Sequence, residues 1–307
     1  MTKELSGKPV ASLINKATTE LIKAYSLIPR MLLIQVGDDP ASQYYVQSII
    51  TNGKKLGCET TLLNLPGSTT EQELQRCIQE ANVNPEIHGI MIQKPLPRHI
   101  SDFAINTTIA PHKDLDAIHP YNLGLILQDG DGFLPCTPAA VYFLMRYYAI
   151  DSVNGHTVIL GRSNVVGKPL ANMLLWKRDT ANATVTVCHS RTPDLAEFTS
   201  KADILIAAIG KANYVQANMV KENCILIDVG INELPQPDGT NRFVGDIDFN
   251  SCSPKALAIT PVPGGIGRIT TSVLYLNLVK ANLMAIGYNK TIDEYIDLIF
   301  HVKQNDI

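Results

Sequence analysis

The chain has 307 residues, 45% of them hydrophobic and 18% charged, an ordinary globular composition long enough for two cores. Its 26 basic and 29 acidic side chains leave a net charge of −3 with no Lys/Arg cluster, which argues against a nucleic-acid partner. No long apolar run follows Met1–Leu5, and Ile204–Ile209 is too short to cross a bilayer, so no membrane role and a cytoplasmic location are expected.

Six cysteines (Cys58, Cys77, Cys136, Cys188, Cys224 and Cys252) show neither a C-x-x-C pair nor a histidine at zinc spacing. Free thiols in a reducing compartment, and no metal, are the expectation.

Apolar residues at helical spacing predict a helix from Val10 to Tyr25. Met31–Val36 reads as a buried strand and Gly37–Pro40 as a turn. Ser42 is placed to cap a helix running through Tyr45, Ile49 and Lys55 to Gly57. Strand 58–65, helix 70–82 and strand 89–93 follow, the last stopped by Pro95 and Pro97. Strand, helix, strand in this order predicts a parallel sheet with right-handed crossovers, and ligands gather beyond the carboxyl ends of such strands. Gln93 stands at such an end.

Pro135–Pro138 precedes a predicted helix, Ala139–Tyr148, where a domain boundary is expected. A second alternation follows: strand 157–160, a Gly-x-Ser-x-x-x-Gly loop from Gly161 to Gly167, a helix from about Lys168, and strands 184–188, 204–208 and 224–229. The fold class is therefore α/β, with two parallel-sheet domains, the second of Rossmann type.

A glycine-rich turn between strand and helix lets backbone approach a pyrophosphate, although Gly161–Gly167 departs from Gly-x-Gly-x-x-Gly and also suits a purely structural turn. The next strand ends in His189-Ser190-Arg191-Thr192, where NAD sites usually carry an acid. Hydroxyls and a guanidinium suit a 2′-phosphate, and Arg162 adds a second cation, so NADP is expected over NAD; the competing reading is a solvated charged loop.

The glycine loop and several stretches resemble the bifunctional methylenetetrahydrofolate dehydrogenase/methenyltetrahydrofolate cyclohydrolase family. These are Pro40–Val46, Gln93–Pro97, Lys113–Asp116, His119–Gly124, Pro135–Pro138, Gly161–Ser163 and, most distinctive, Thr260-Pro261-Val262-Pro263-Gly264-Gly265-Ile266-Gly267. The resemblance implies a folate-binding catalytic domain over 1–140, completed by a C-terminal helical segment over 270–307 that returns to it. It also implies an NAD(P)-binding domain over 141–269, through which homodimers form.

It further implies roles for matching positions. Tyr45 resembles a tyrosine that packs on the folate ring, Gln93 a glutamine that orients a catalytic lysine and touches folate, and Asp116 an aspartate that binds the pterin. Pro263, Gly264 and Gly267 resemble a loop beside folate and nicotinamide. Gly161, Arg162, Ser163, Ser190 and Ile231 match dinucleotide-binding positions, beside which Arg191 is a further candidate. Taken without the family, Tyr45 is equally a core residue, Asp116 a solvated carboxylate, and the glycine run a turn.

One position departs. Where the family's Tyr-x-x-x-Lys pattern has its catalytic lysine, this chain has Ile49, and Thr51 replaces a second basic residue. Isoleucine carries no proton, whereas hydrolysis of a methenyl group needs one moved. Lys54 and Lys55 lie roughly 13–15 Å along the helix from Tyr45, on other faces. Hydride transfer depends on alignment instead. The expectation is therefore an NADP-dependent methylenetetrahydrofolate dehydrogenase with cyclohydrolase activity lost or weak. The alternatives are a fully bifunctional enzyme that makes 10-formyltetrahydrofolate with another proton carrier, and a non-catalytic folate- or nucleotide-binding homologue. Ala117, in place of a usual glycine, and Arg268 are smaller departures.

Overall fold

The structure, a computed structural model, describes residues 2–178, 181–235 and 241–301. The chain divides into two compact units. One comprises the segment up to Ser12 and Thr137–Thr270; the other comprises Leu13–Cys136 and the chain from Thr271. The first twelve residues thus differ from the expected division. β1 (Lys3–Glu4) pairs in parallel with β11 (Ala258–Ile259), a partner that a short polar segment does not reveal in its own pattern.

The unit containing Leu13–Cys136 is built on three parallel strands in the order β3-β2-β4, namely β2 (Arg30–Val36), β3 (Glu59–Leu65) and β4 (Gly89–Ile92). Its helices are α1 (Lys8–Ala24), α2 (Pro40–Leu56), α3 (Glu71–Val83), α4 (Asp102–Thr108), α5 (Pro120–Leu127) and the start of α6 (Cys136–Tyr147). The side chain of Ser42, expected to cap α2, lies outside the described residues. α3 opens on a reciprocal capping box between Thr70 and Glu73, and Ser101 caps α4.

The other unit carries a six-stranded sheet in the order β1-β11-β8-β7-β5-β6, with β5 (His156–Leu160), β6 (Thr184–Cys188), β7 (Ile204–Ala207) and β8 (Ile225–Asp228). All its pairings are parallel, and β5, β7 and β8 are almost wholly buried, which explains their continuous apolar runs. The connecting helices are α7 (Gly167–Leu174), α8 (Leu195–Thr199) and α9 (Phe249–Cys252). An antiparallel pair, β9 (Asn232–Pro235) and β10 (Asn241–Val244), was not anticipated by the hydrophobic pattern.

Two buried carboxylates gather the loops beyond this sheet. Asp246 accepts from the backbone N–H groups of Ile209, Gly210 and Lys211 at 2.6–2.9 Å and from Asn232 Nδ2 at 2.9 Å. Asp228 accepts from the N–H groups of Gly230, Asp246 and Ile247. Burial pushes the Asp228 carboxyl up to about 7 despite those donors.

α10 (Ile266–Ala285) is long and mostly buried, and its portion from Thr271 onward lays a row of polar side chains into the Leu13–Cys136 unit. The Tyr275 hydroxyl donates to the Ile49 carbonyl at 2.8 Å and lies 3.0 Å from Thr60 Oγ1. Gly53 in α2 makes room for it, since a Cβ there would stand 2.3 Å from that hydroxyl. Asn277 Nδ2 donates to the carbonyls of Leu115 and Leu134, both at 2.8 Å. Lys280 Nζ donates to the Gly132 carbonyl and lies over the rings of Phe133 and Tyr295. α11 (Ile292–His301) then buries Ile292, Tyr295, Ile296 and Ile299, one helical face.

Replacing Asn277 with leucine leaves two buried carbonyls without their donor, so a loss of about 2–5 kcal/mol is expected. Urea unfolding of the Asn277→Leu protein checks it; an unchanged midpoint would show that those carbonyls find other partners.

Candidate functional site

Beyond the carboxyl end of β4, the Gln93 N–H donates to the Ile34 carbonyl at 2.8 Å and so continues the ladder. Gln93 is 8% exposed; its Nε2 donates to the Lys94 carbonyl at 2.8 Å, while its buried Oε1 has no hydrogen-bond donor. The Lys94 ammonium pairs with Asp102 of α4 and donates to Asn106 Oδ1 at 3.3 Å.

The segment from Asp114 to Asn122 is shaped by Asp114, whose buried carboxylate accepts from Ile118 N–H, His119 N–H and Asn122 Nδ2 at 2.8–3.2 Å. Two residues on, Asp116 is half-buried. Burial pushes its carboxyl up to about 6; hydrogen bonds from Cys136 oppose this, the charge of Asp114 adds to it, and the Lys94 cation also opposes. Ala117 sits at φ 51°, a left-handed conformation that strains a residue with a Cβ. Asp116 is held beside that strained turn, which the glycine expected there would adopt freely.

Tyr45, half-buried on α2, hydrogen-bonds through its hydroxyl with Thr271 of α10. Burial first, and then the charge of Asp116, keep it neutral far above the usual tyrosine range. Ile49, one turn along α2, is fully buried. The structure therefore brings Tyr45, Asp116 and Lys94 into one electrostatic neighbourhood, with Gln93 adjoining Lys94 in sequence. Sequence reading missed Asp114, Cys136 as the partner of Asp116, Thr271 and Lys94. Cys136 and Asp114 lie within stretches that carried the family resemblance; Thr271, in a distant helix, left no local signal.

The second cluster belongs to the unit that carries the six-stranded sheet. Gly161, at φ 138°, donates its N–H to the Cys188 carbonyl at 2.8 Å, so the loops after β5 and β6 start side by side. A Cβ on Gly161 would lie 2.2 Å from the Ala208 carbonyl oxygen, and one on Gly167 2.1 Å from the Gly161 oxygen; only glycine fits either place. Ser163 Oγ accepts from the Val166 N–H, and no side chain caps the N-terminus of α7.

Arg162, Ser163, Ser190 and Arg191 are all exposed, and neither guanidinium meets a carboxylate among the described residues. Ile231 is 63% exposed and reaches Gly267, where an added Cβ would lie 3.2 Å from its Cδ1. Gly264, at φ 122°, accepts from the Gly7 N–H at 2.9 Å, which pins the loop bearing Pro263. Pro263, Gly264 and Gly267 thus fall in the unit with the six-stranded sheet, whereas Tyr45, Gln93 and Asp116 fall in the other.

Residues 5–116 match the family described as tetrahydrofolate dehydrogenase/cyclohydrolase, catalytic domain, and residues 135–286 match that family's NAD(P)-binding domain. The chain belongs to this family. It is 44% identical over 285 residues to the bifunctional protein FolD of Chloroherpeton thalassium, covering 90% of this chain and 97% of that protein. The crystal structure of the bifunctional FolD dehydrogenase/cyclohydrolase from Campylobacter jejuni aligns with a TM-score of 0.85 at 40% identity, covering 92% of this chain and 99% of that one. That of the Trypanosoma brucei dehydrogenase-cyclohydrolase, complexed with NADP and an inhibitor, aligns with a TM-score of 0.87 at 32% identity, covering 94% and 99%.

These matches correct the expectation of a dehydrogenase with lost or weakened cyclohydrolase activity. The matched catalytic domain spans Ile49, and near-full-length relatives at this identity are bifunctional. A single apolar residue at that position was too narrow a basis for the loss.

Asp116 gives a pH signature. The folded protein holds its proton more tightly than the ordinary value of 3.8 would, so ionising it costs stability. That cost is absent below about pH 4, grows as pH rises toward about 6, and is complete above it. Asp116→Asn in the ligand-free protein should raise the thermal midpoint at pH 8, the gain fading toward pH 4. Calorimetry across that range checks it, and a gain independent of pH would place the effect elsewhere.

Proposed function

We propose that the chain oxidises 5,10-methylenetetrahydrofolate to the methenyl compound with NADP and hydrolyses that product to 10-formyltetrahydrofolate. The observation that carries this reading is the half-buried Asp116 carboxylate in one neighbourhood with Tyr45 and Lys94, together with the donor-less oxygen of Gln93, the residue before Lys94. An anion, an aromatic face and a vacant acceptor suit the N–H donors and flat ring of a reduced pterin. Pterin donors on Asp116 would favour its ionised form and offset the cost of burial.

In the nucleotide unit, an uncapped helix start and two close-packed glycines suit a pyrophosphate. Ser190, Arg191 and Arg162, exposed and without carboxylate partners among the described residues, suit a 2′-phosphate, and β6 ends without an acid that would repel it. When bound, the dinucleotide accepts the hydride. Pro263, Gly264, Gly267 and Ile231 would border the nicotinamide.

Ile49 is proposed to stand at the family's lysine position, so the hydrolytic proton has to be carried by another group. A cytoplasmic homodimer joined through the nucleotide unit completes the reading. Six unpaired thiols suit a reducing compartment, and β6, an edge strand with Val187 40% exposed, offers a surface for a second copy. Among the described residues no helix is long and apolar enough to cross a membrane, and no His/Cys/Asp/Glu group could hold a metal.

Initial rates with methylenetetrahydrofolate should favour NADP over NAD, and Arg162→Ala should weaken NADP more than NAD; equal losses would assign the arginine to the pyrophosphate. Asp116→Asn should lower dehydrogenase kcat/KM while NADP titration stays close to the parent, because an amide offers the pterin a mismatched donor. Loss of methenyltetrahydrofolate absorbance above the buffer rate tests the hydrolytic half directly, and decay at the buffer rate would refute the bifunctional reading.

A further inference from the structure

We propose that Lys94 is the proton carrier of the hydrolytic step, serving a water that Gln93 Oε1 holds. This rests on the bifunctional reading above. In that step the water oxygen bonds to the methenyl carbon, the carbon–N5 bond breaks with its electron pair going to N5, and N5 gains a proton. The substrate is a cation and the product is neutral, so one further proton leaves. A group in the site has to take a proton from the water and return one to N5.

The other titratable side chains of this neighbourhood are committed. The Tyr45 hydroxyl is bound to Thr271 and held neutral, and the Cys136 thiol bonds Asp116 in a buried setting that disfavours its thiolate. Asp116 accepts from both the thiol and the N–H of Cys136.

Lys94 is less constrained. Its side chain is 28% exposed, and its ion-pair partner Asp102 is 68% exposed, so the pair is open to solvent and holds weakly. The charged groups that face it among the described residues are Asp102 from α4 and Asp116 from the 114–122 segment, with Asn106 as a neutral partner. A flexible four-carbon stem can leave Asp102 for the reacting atoms. A methenyl cation arriving beside the ammonium adds like-charge repulsion there, which draws the side chain out of its pair with Asp102.

Gln93 supplies the second half of the device. The backbone carbonyl of Lys94 fixes its carboxamide, which leaves Oε1 buried with two free lone pairs. An acceptor so placed, more than nine-tenths buried, calls for a donor from outside the protein. A water bound there would present its oxygen lone pair to the methenyl carbon.

The experiment compares the purified full-length parent with Lys94→Met and Lys94→Arg, measuring kcat and KM for hydrolysis and for dehydrogenation across about pH 6–9. Lys94→Met should lower hydrolytic kcat by roughly a hundredfold more than dehydrogenase kcat. Lys94→Arg, which keeps the Asp102 pair but cannot release a proton, should stay low and lose the basic-side dependence on pH. Three results would overturn the proposal: parent-like hydrolysis in Lys94→Met, full rescue by arginine, or a loss confined to KM in both reactions, which would assign Lys94 to binding the carboxylates of folate. Hydrolysis absent from the parent itself would bring down the bifunctional reading, and Lys94 with it, an outcome distinct from those three.

Discussion

The row of buried polar side chains on α10 is the constraint on which the folate-side unit depends. Thr271, Tyr275, Asn277 and Lys280 tie three separate segments to one helix: Tyr45 and the Ile49 carbonyl of α2, the Leu115 carbonyl, and the carbonyls of Gly132 and Leu134. In a poorly polarisable interior an unpaired polar group is costly, so none of these segments can shift without stranding a donor or a carbonyl. Packing alone would tolerate small slips; directed hydrogen bonds do not. The Leu115 carbonyl adjoins Asp116, so the helix sets the height of the candidate folate carboxylate one residue away.

Each unit also uses buried carboxylates to shape irregular backbone. Asp114 orders the segment to Asn122, and Asp228 with Asp246 orders the loops beyond β7 and β8. The candidate site groups have the opposite character: among the described residues Gln93 Oε1 lacks a donor, and Arg162 and Arg191 meet no carboxylate. Ala117, in a left-handed turn beside Asp116, shows the frame imposing a backbone conformation that the residue itself disfavours.

The corrected reading of the hydrolytic half has the same root. Judged alone, Ile49 is a fully buried side chain with no titratable atom. Catalytic capacity belongs to a neighbourhood, however, and a cation is present at Lys94 that the spacing along α2 gave no reason to consider. Proton transfer requires a titratable atom near the reacting carbon, not one at a particular place in the chain.

Much of the architecture was legible in the residues. Continuous apolar runs such as Ile204–Ala207 marked buried parallel strands, and the Gly161 and Gly167 positions followed from the close approach that only glycine permits. The helix α11, with Ile292, Ile296 and Ile299 at helical spacing, lies within the C-terminal helical segment that the family resemblance implied. Other features had no local signature. β1 is a strand because Ala258 and Ile259 lie beside it, and Thr271 matters because its helix returns to Tyr45. Periodicity and backbone sterics are short-range, so the sequence by itself determined the elements, the glycine loop and the family. Which side chains share a charge environment depends on contacts between separate segments, from 22 residues apart for Lys94 and Asp116 to 226 for Tyr45 and Thr271, and only the tertiary structure decided those.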